Sequence, residues 1–281
     1  MNPELCLAVS PCPNDTFIFG AWALGFLPPL AGTRCAFIRR DVEELNALVE
    51  NPEPGARVVK ISAAQATLLG SDWNVLRSGA AFGFGAGPKL AVRSGQSNPI
   101  RVIAVPGLRT TAAALLSGAI AQGELAGRLD GSPRIEPVRY DLIAQGVSQG
   151  LYDAGLFIHE TALVVDRLGL EIIFDLGRYW GRIAGDVPLP LGVIAAHASL
   201  GPELTRDVEN QIQASLAFAR QNPGLVRPLI KALAQEVDDA VIEAHIRAYV
   251  GDLSYDMGQL GRAALRTLSR LACAASPGIG A

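Results

Sequence analysis

The sequence is poor in the residues that most often carry metal, nucleotide or nucleic-acid chemistry. Three histidines occur in 281 residues (His159, His197 and His245), and the four cysteines lack CxxC spacing. Such scatter supplies no transition-metal ligand set. The stretch HETAL at His159 is not HExxH, which excludes a zincin site. GxSxG and Walker A are absent. Gly83, Gly85 and Gly87 form GxGxG, not the dinucleotide pattern GxGxxG. They read as a flexible crossover rather than a nucleotide loop. An excess of basic charge is also missing: the net charge is -3 and the pI about 5.7, which argues against nucleic-acid binding. No apolar run reaches membrane-span length without charge, Pro or Gly. The start, MNPELCLAVS, lacks the regions of a signal peptide. These absences predict a cytoplasmic protein with reduced thiols at Cys6, Cys12, Cys35 and Cys273 and no nucleic-acid or membrane partner.

Hydrophobic residues make up 49% of the chain, enough for a sizeable core in one large or two medium domains. Strand-like and helix-like runs alternate from LCLAVS to LPLGVIAAH, which predicts an α/β fold with a ligand crevice at strand ends. DVEELNALVEN reads as a helix capped by Asp41, TTAAALLSGAIAQG as a helix capped by Thr110 or Thr111, and DLIAQGVSQGL as a helix capped by Asp141. WNVLRSGAAF and DAGLFIHE read as strands, and EIIFDLG as another. From Pro202 the chain reads as consecutive helices, with a frayed tail, SPGIGA. Those amphipathic helices can pack on their own lobe or form a homodimer seam; the sequence leaves both open. The Gly-rich tract from Gly83 reads as a passage between two lobes, with residues 1–95 plus 190–281 in one and an inserted second lobe at 96–189.

Several short stretches carry candidate chemistry. In SPCPNDTFIF, Pro11 and Pro13 end a strand, and Asn14, Asp15 and Thr16 are good helix N-caps. The stretch predicts a rigid loop that holds a helix start open to a ligand. VPGLRTTAAALL places Thr110 and Thr111 at a helix N-terminus, suited to a carboxylate or phosphate, though a plain cap accounts for it equally. Lys60 and Ser62 end the run VVKIS, at the crevice end of a strand. His159 closes DAGLFIHE as a polar group at a strand end, and Glu160 then points to the other face. His245, inside DDAVIEAHIRAYV, is placed toward solvent or an interhelix seam.

Taken together, SPCPNDTFIF, KIS, LRSGAAFGFGAGP, VPGLRTTA, GLYDAGLFIHE, DLGRYWG and LPLGVI resemble, in order and spacing, the 1,4-dihydroxy-6-naphthoate synthase family of the futalosine route to menaquinone. The resemblance runs from about Leu5 to Leu260. It implies a two-lobed fold like type 2 periplasmic binding proteins, without export. The activity it implies is a lyase reaction converting cyclic dehypoxanthinyl futalosine to 1,4-dihydroxy-6-naphthoate. It implies that His159 is the base and that Lys60, Ile61, Ser62, Thr110 and Thr111 hold the substrate. The substrate carboxylate suits the helix start at Thr110–Thr111 and that at Asn14–Asp15–Thr16. Metal, nucleotide and flavin are not required. The chain departs from the family pattern at Ala63–Ala64, at Tyr179–Trp180–Gly181 and at Gly251. A chorismate-dehydratase-like relative fits the SPCPNDTF start less well. A non-catalytic binding protein for an aromatic carboxylate would tolerate loss of His159.

Overall fold

The computed structural model describes residues 4–30, 32–53, 55–235 and 238–274; the tail SPGIGA lies outside them. Its strands are β1 (Glu4–Val9), β2 (Arg34–Arg39), β3 (Ala56–Ser62), β4 (Trp73–Val75), β5 (Ala81–Gly83), β6 (Lys89–Arg93), β7 (Ile100–Val105), β8 (Leu129–Pro137), β9 (Ala154–Phe157), β10 (Leu170–Asp175) and β11 (Leu189–His197). Its helices are α1 (Pro13–Ala23), α2 (Val42–Leu48), α3 (Ala63–Ala66), α4 (Thr111–Ala121), α5 (Tyr140–Ser148), α6 (Leu176–Ala184), α7 (Gly201–Gln221), α8 (Pro223–Leu233), α9 (Asp239–Tyr249), α10 (Asp252–Tyr255) and α11 (Gly258–Ala274).

The strands form two sheets. The first has the order β2-β1-β3-β11-β4, with β5 also paired to β11; the second has the order β10-β6-β9-β7-β8. In the first, β1 runs parallel to β2 and β3, and β11 returns antiparallel to β3. In the second, β7 is parallel to β8 and β9, while β6 is antiparallel to β9 and β10. All five strands of the second sheet lie between β5 and β11 in the chain. The chain therefore leaves the first sheet after Gly83 and re-enters it at Leu189. A division at 95/96 cuts β6 from its own sheet, where Lys89 faces Phe157 and Arg93 faces Leu170. The crossover itself is the Gly-rich stretch 84–88. Gly87 and Gly177 sit there at backbone contact, and a Cβ on Gly177 would come within 2.8 Å of the Ala86 carbonyl carbon. Side chains at this crossing would force the two segments apart.

Helix α1 is buried from Pro13 to Trp22, so it has no solvent face. That fits the apolar run after its first turn (Phe17, Ile18, Phe19, Ala21, Trp22), while the buried Asn14, Asp15 and Thr16 of the first turn find polar partners. It sits in the core of the first sheet with Leu7, Val9, Ile194, Ile212 and Val226. The core of the second sheet contains Leu90, Ile103, Leu115, Leu156, Tyr179 and Trp180. Leu268 and Leu271 of α11 join that second core, so the C-terminal helix bridges the two halves. Burying side chains of this size contributes roughly 1.5–3 kcal/mol each before chain entropy is counted.

Several local expectations change in the structure. WNVLRSGAAF is not one strand: β4 ends at Val75, and Gly79 turns with φ +85 before β5. Asp141 is not a cap; Arg139 holds that position and Asp141 lies in the first turn of α5, paired with the Arg139 guanidinium. DLGRYWG continues into a helix, α6, started by Asp175, whose carboxylate accepts from the Arg178 N–H. DAGLFIHE stops being a strand at Phe157, and His159 opens a 3-10 turn through Leu163. Asp41 caps α2 as expected, with Glu44 closing a capping box onto the Asp41 N–H.

Candidate functional site

A cavity opens between the two sheets. Four strands point into it with their carboxyl ends. Ser10 follows β1, Ser62 ends β3, the turn to Thr110 follows β7, and His159 follows β9. Helices α2 and α9 contribute Val42, Leu45, His245 and Tyr249.

The wall formed by the first sheet is held by an internal ion pair. Lys60 and Asp15 are both buried, and Lys60 Nζ donates to Asp15 Oδ1 at 2.5 Å. Lys60 also donates to the Gly79 carbonyl at 3.2 Å, and the second Asp15 oxygen accepts from the Ser10 N–H at 3.1 Å. Both charges are therefore satisfied within the protein. Ser62 is fixed in the same way: its N–H donates to Asn46 Oδ1 at 2.8 Å, and its hydroxyl accepts from Asn46 Nδ2 at 3.1 Å.

At the start of α1 the N-cap is Cys12, with Pro13 at the first helical position, so Asn14, Asp15 and Thr16 lie inside the first turn and are not caps. Asn14 and Asp15 line the cavity, but Thr16 does not. The Thr16 hydroxyl turns back on its own helix, donating to the carbonyls of Cys12 (2.9 Å) and Pro13 (3.2 Å). Burial pushes the Cys12 thiol far above its ordinary value, with the Asp15 charge adding to it, so the thiol stays protonated.

The wall formed by the second sheet is built differently. Thr110 caps α4: its hydroxyl accepts from the Ala113 N–H at 3.1 Å and donates to the Gly107 carbonyl at 2.8 Å. The Thr111 hydroxyl donates to the Leu191 carbonyl at 3.0 Å and accepts from the Ala64 N–H at 3.1 Å, which ties the two halves together. Both hydroxyls are thus occupied. Thr111 and Ala112 line the cavity, and their first-turn amides have no acceptor within the helix, so α4 can offer them to a ligand. Gly107 is needed at this turn, since its φ is +146 and a Cβ would run into Glu43.

His159 is the single non-glycine residue with positive φ among the described residues, at +54. Holding an L-residue there costs about 1–2 kcal/mol, so the surrounding structure must enforce it. The turn carries the imidazole into the cavity, edge-on to Tyr140 at 4.9 Å between ring centres. Burial holds the pKa of His159 below 6.5, against the opposing pull of the carboxylates of Glu160, Asp41 and Asp15. The ring is neutral at pH 7 and free to take a proton. Glu160 is buried within the turn, and its carboxylate accepts from the Gln235 N–H at 3.0 Å, anchoring the turn to the segment before α9.

Of the residues singled out from the sequence, Asn14, Asp15, Lys60, Ile61, Ser62, Thr110, Thr111 and His159 share this one cavity, and Thr16 stays outside it. His245 is the residue that sequence reasoning misplaced. It is 1% exposed and lines the cavity, 6.5 Å from His159 between ring centres. Burial pushes its pKa down to about 3, with the nearby His159 adding to that. Its helical period leaves solvent or an interhelix seam open; only the packing of α9 onto the His159 turn places it in the cavity wall. Ala63–Ala64, Tyr179–Trp180–Gly181 and Gly251, where the chain departs from the family pattern, all lie outside the cavity lining. Among the described residues no three His, Cys, Asp or Glu side chains converge as a metal site. No described helix is long and apolar enough to cross a membrane.

Comparison with known proteins gives the family and the fold. A menaquinone biosynthesis family matches residues 5–274. A 1,4-dihydroxy-6-naphthoate synthase from Streptomyces coelicolor is 37% identical over 272 residues, covering 96% of this chain and 93% of its own. A protein of the same name from Thermus thermophilus is 38% identical over 273 residues, covering 94% and 92%. The crystal structure of protein AF1704 from Archaeoglobus fulgidus superposes with a TM-score of 0.85 at 30% identity, covering 96% of this chain and 97% of that one. The Candida albicans CA3427 product, described as having the generic periplasmic binding protein fold, superposes with a TM-score of 0.73 at 12% identity, covering 98% and 92%. The last likeness is one of fold alone, and it fits the two-sheet α/β cleft described above.

Proposed function

The chain belongs to the menaquinone biosynthesis family, and on that premise we propose that it is a 1,4-dihydroxy-6-naphthoate synthase, a lyase acting on cyclic dehypoxanthinyl futalosine. The observation that carries the chemistry is His159, a neutral imidazole held in the cavity on a strained turn. It removes a proton from the substrate. The second ring then aromatises as the sugar-derived fragment departs. General-base assistance of this kind is worth about 10²–10⁴-fold.

The other wall residues bind and orient. The first-turn amides of α4, at Thr111 and Ala112, receive the carboxylate on the substrate ring. Val42, Leu45, Ile61, Ile158 and Leu191 supply apolar surface for the ring itself. Lys60 shapes the floor as half of a neutralised pair, so it contributes position rather than a free charge. The two halves of the molecule keep water from the reacting centre. Cys12 and Cys35 are thiols, which fits work in the reducing cytoplasm.

The test is a product assay. Purified protein is mixed with cyclic dehypoxanthinyl futalosine, and 1,4-dihydroxy-6-naphthoate is followed by mass spectrometry beside a His159→Asn variant. Product from the wild type and a loss of about 10²–10⁴ in rate for the variant is expected. Equal rates would remove His159 from its role. Binding without product would leave a binding protein.

A further inference from the structure

Cys12, Asn14 and His245 form a small buried hydrogen-bond cluster that the base mechanism does not use. Asn14 Oδ1 lies 2.6 Å from Cys12 Sγ and 3.2 Å from His245 Nε2, and all three residues line the cavity. Cys12 and Asn14 are two residues apart, but His245 lies 231 positions beyond Asn14. Asn14 is 7% exposed and His245 1%, so neither contact is a surface accident.

The chemistry of the partners decides which way the carboxamide points. A protonated thiol is a donor and a poor acceptor, so the atom facing Cys12 must be the amide oxygen. The same oxygen faces His245; in this orientation Nε2 carries the proton and the buried Nδ1 has no hydrogen-bond partner among the described residues. Two donors on Oδ1 leave Nδ2 for something else, and it makes no hydrogen bond with any described residue. The ligand that would satisfy it is an acceptor oxygen. One is supplied by the reaction itself. The product carries two ring hydroxyls, and a phenolic hydroxyl is the enol of a ring ketone.

We propose that Asn14 Nδ2 donates to the substrate carbonyl that becomes an enolate, and that His245 and Cys12 are positioning residues that lock the amide in that orientation. In the step, a C–H bond beside the carbonyl breaks and its proton passes to the His159 imidazole. The bonding pair forms the C=C bond, and the carbonyl π pair moves to oxygen, where the Asn14 N–H meets the growing charge. Protonation of that oxygen gives the hydroxyl. This role rests on the naphthoate synthase reading, since it needs a substrate ketone.

Two measurements on the full-length protein test it. The first is the ring ¹⁵N spectrum of His245 at pH 7, assigned by its loss in His245→Gln. A neutral Nε2–H tautomer is expected. An Nδ1–H tautomer or an imidazolium would mean that the amide is turned round, and would overturn the proposal whatever the activity. The second is kinetics on cyclic dehypoxanthinyl futalosine. Asn14→Ala should lower kcat by about 10²-fold with a smaller change in KM, as for loss of one oxyanion donor. His245→Leu should lower kcat by about tenfold or more, His245→Gln should recover most of it, and the Asn14→Ala, His245→Leu double variant should be no slower than Asn14→Ala alone. Losses that multiply, or a His245→Leu variant as fast as wild type, would show that His245 does not act through Asn14. A wild type that turns over none of this substrate would sink the naphthoate synthase reading and the enolate role together, while the tautomer would still report the amide's direction.

Discussion

The two walls of the cavity solve opposite problems. On the wall of the first sheet the charges are paired before any ligand arrives: Lys60 meets Asp15, Ser62 meets Asn46, and the Asn14 side-chain amide N–H is the donor left for a ligand. The wall of the second sheet is left open. His159 sits on a left-handed turn with a neutral ring, and α4 ends in amides that its own helix cannot satisfy. The first wall spends its charged groups on rigidity and keeps one amide N–H, that of Asn14, for the substrate; the second keeps its imidazole and helix-start amides for it. Mutations should therefore separate, with stability losses at the Lys60–Asp15 pair and rate losses at His159, at Asn14 and at the start of α4.

The largest stability effect is expected at Lys60. Lys60→Met strands the buried Asp15 carboxylate and should cost about 3–5 kcal/mol in urea unfolding. Adding Asp15→Asn should recover much of that, because no lone charge remains. A loss below about 1 kcal/mol would mean that water reaches the pair and that the first wall is less closed than described.

His245 sharpens the comparison by pH. Its folded pKa, about 3, lies below the 6.5 of an unfolded histidine, so the unfolded chain binds the proton first. Its contribution to stability is full above pH 6.5 and is lost as pH falls toward 3. By pH 4 the loss is about 3 kcal/mol at 1.36 kcal/mol per unit. His245→Gln should flatten most of that limb in denaturation curves, leaving the part due to His159. An unchanged limb would place the titration elsewhere.

Smaller effects are expected where the walls meet. Gly107→Ala puts a Cβ against Glu43 at φ +146 and should cost about 1–3 kcal/mol. Arg109 crosses the cleft to Glu43 (3.3 Å) and Glu50 (3.0 Å), but all three side chains are partly or well exposed. Arg109→Ala should cost about 0.2–1 kcal/mol, and less at high salt. A larger, salt-independent loss would make this clamp a structural element of the cleft.

What could be read from the sequence was local. The Asp41 cap and a cap at Thr110 or Thr111 are each written within a few residues; Asp41 caps α2, and of the two threonines Thr110 caps α4. The α/β alternation and the strand-end placement of Lys60, Ser62 and Thr110 followed from apolar runs and their punctuation. Distant partners were not legible. For His245 the sequence leaves solvent and an interhelix seam open, because periodicity cannot say that α9 packs on the His159 turn. Thr16 looked like a cap because Pro13 was read as ending a strand, whereas it begins the helix one residue after Cys12. The strand through His159 was overextended because nothing in GLFIHE announces a left-handed residue; a histidine is seldom placed there without enforcement. The helix in DLGRYWG was hidden by two glycines and by the strand before it.

The central claim is that a neutral His159 is the base. It is met most directly by the pH dependence of kcat/KM on cyclic dehypoxanthinyl futalosine. With the pKa of His159 held below 6.5, activity should fall to half only below pH 6.5, as the ring takes a proton. Half-loss at or above pH 6.5, or the same acid limb in His159→Asn, would contradict it.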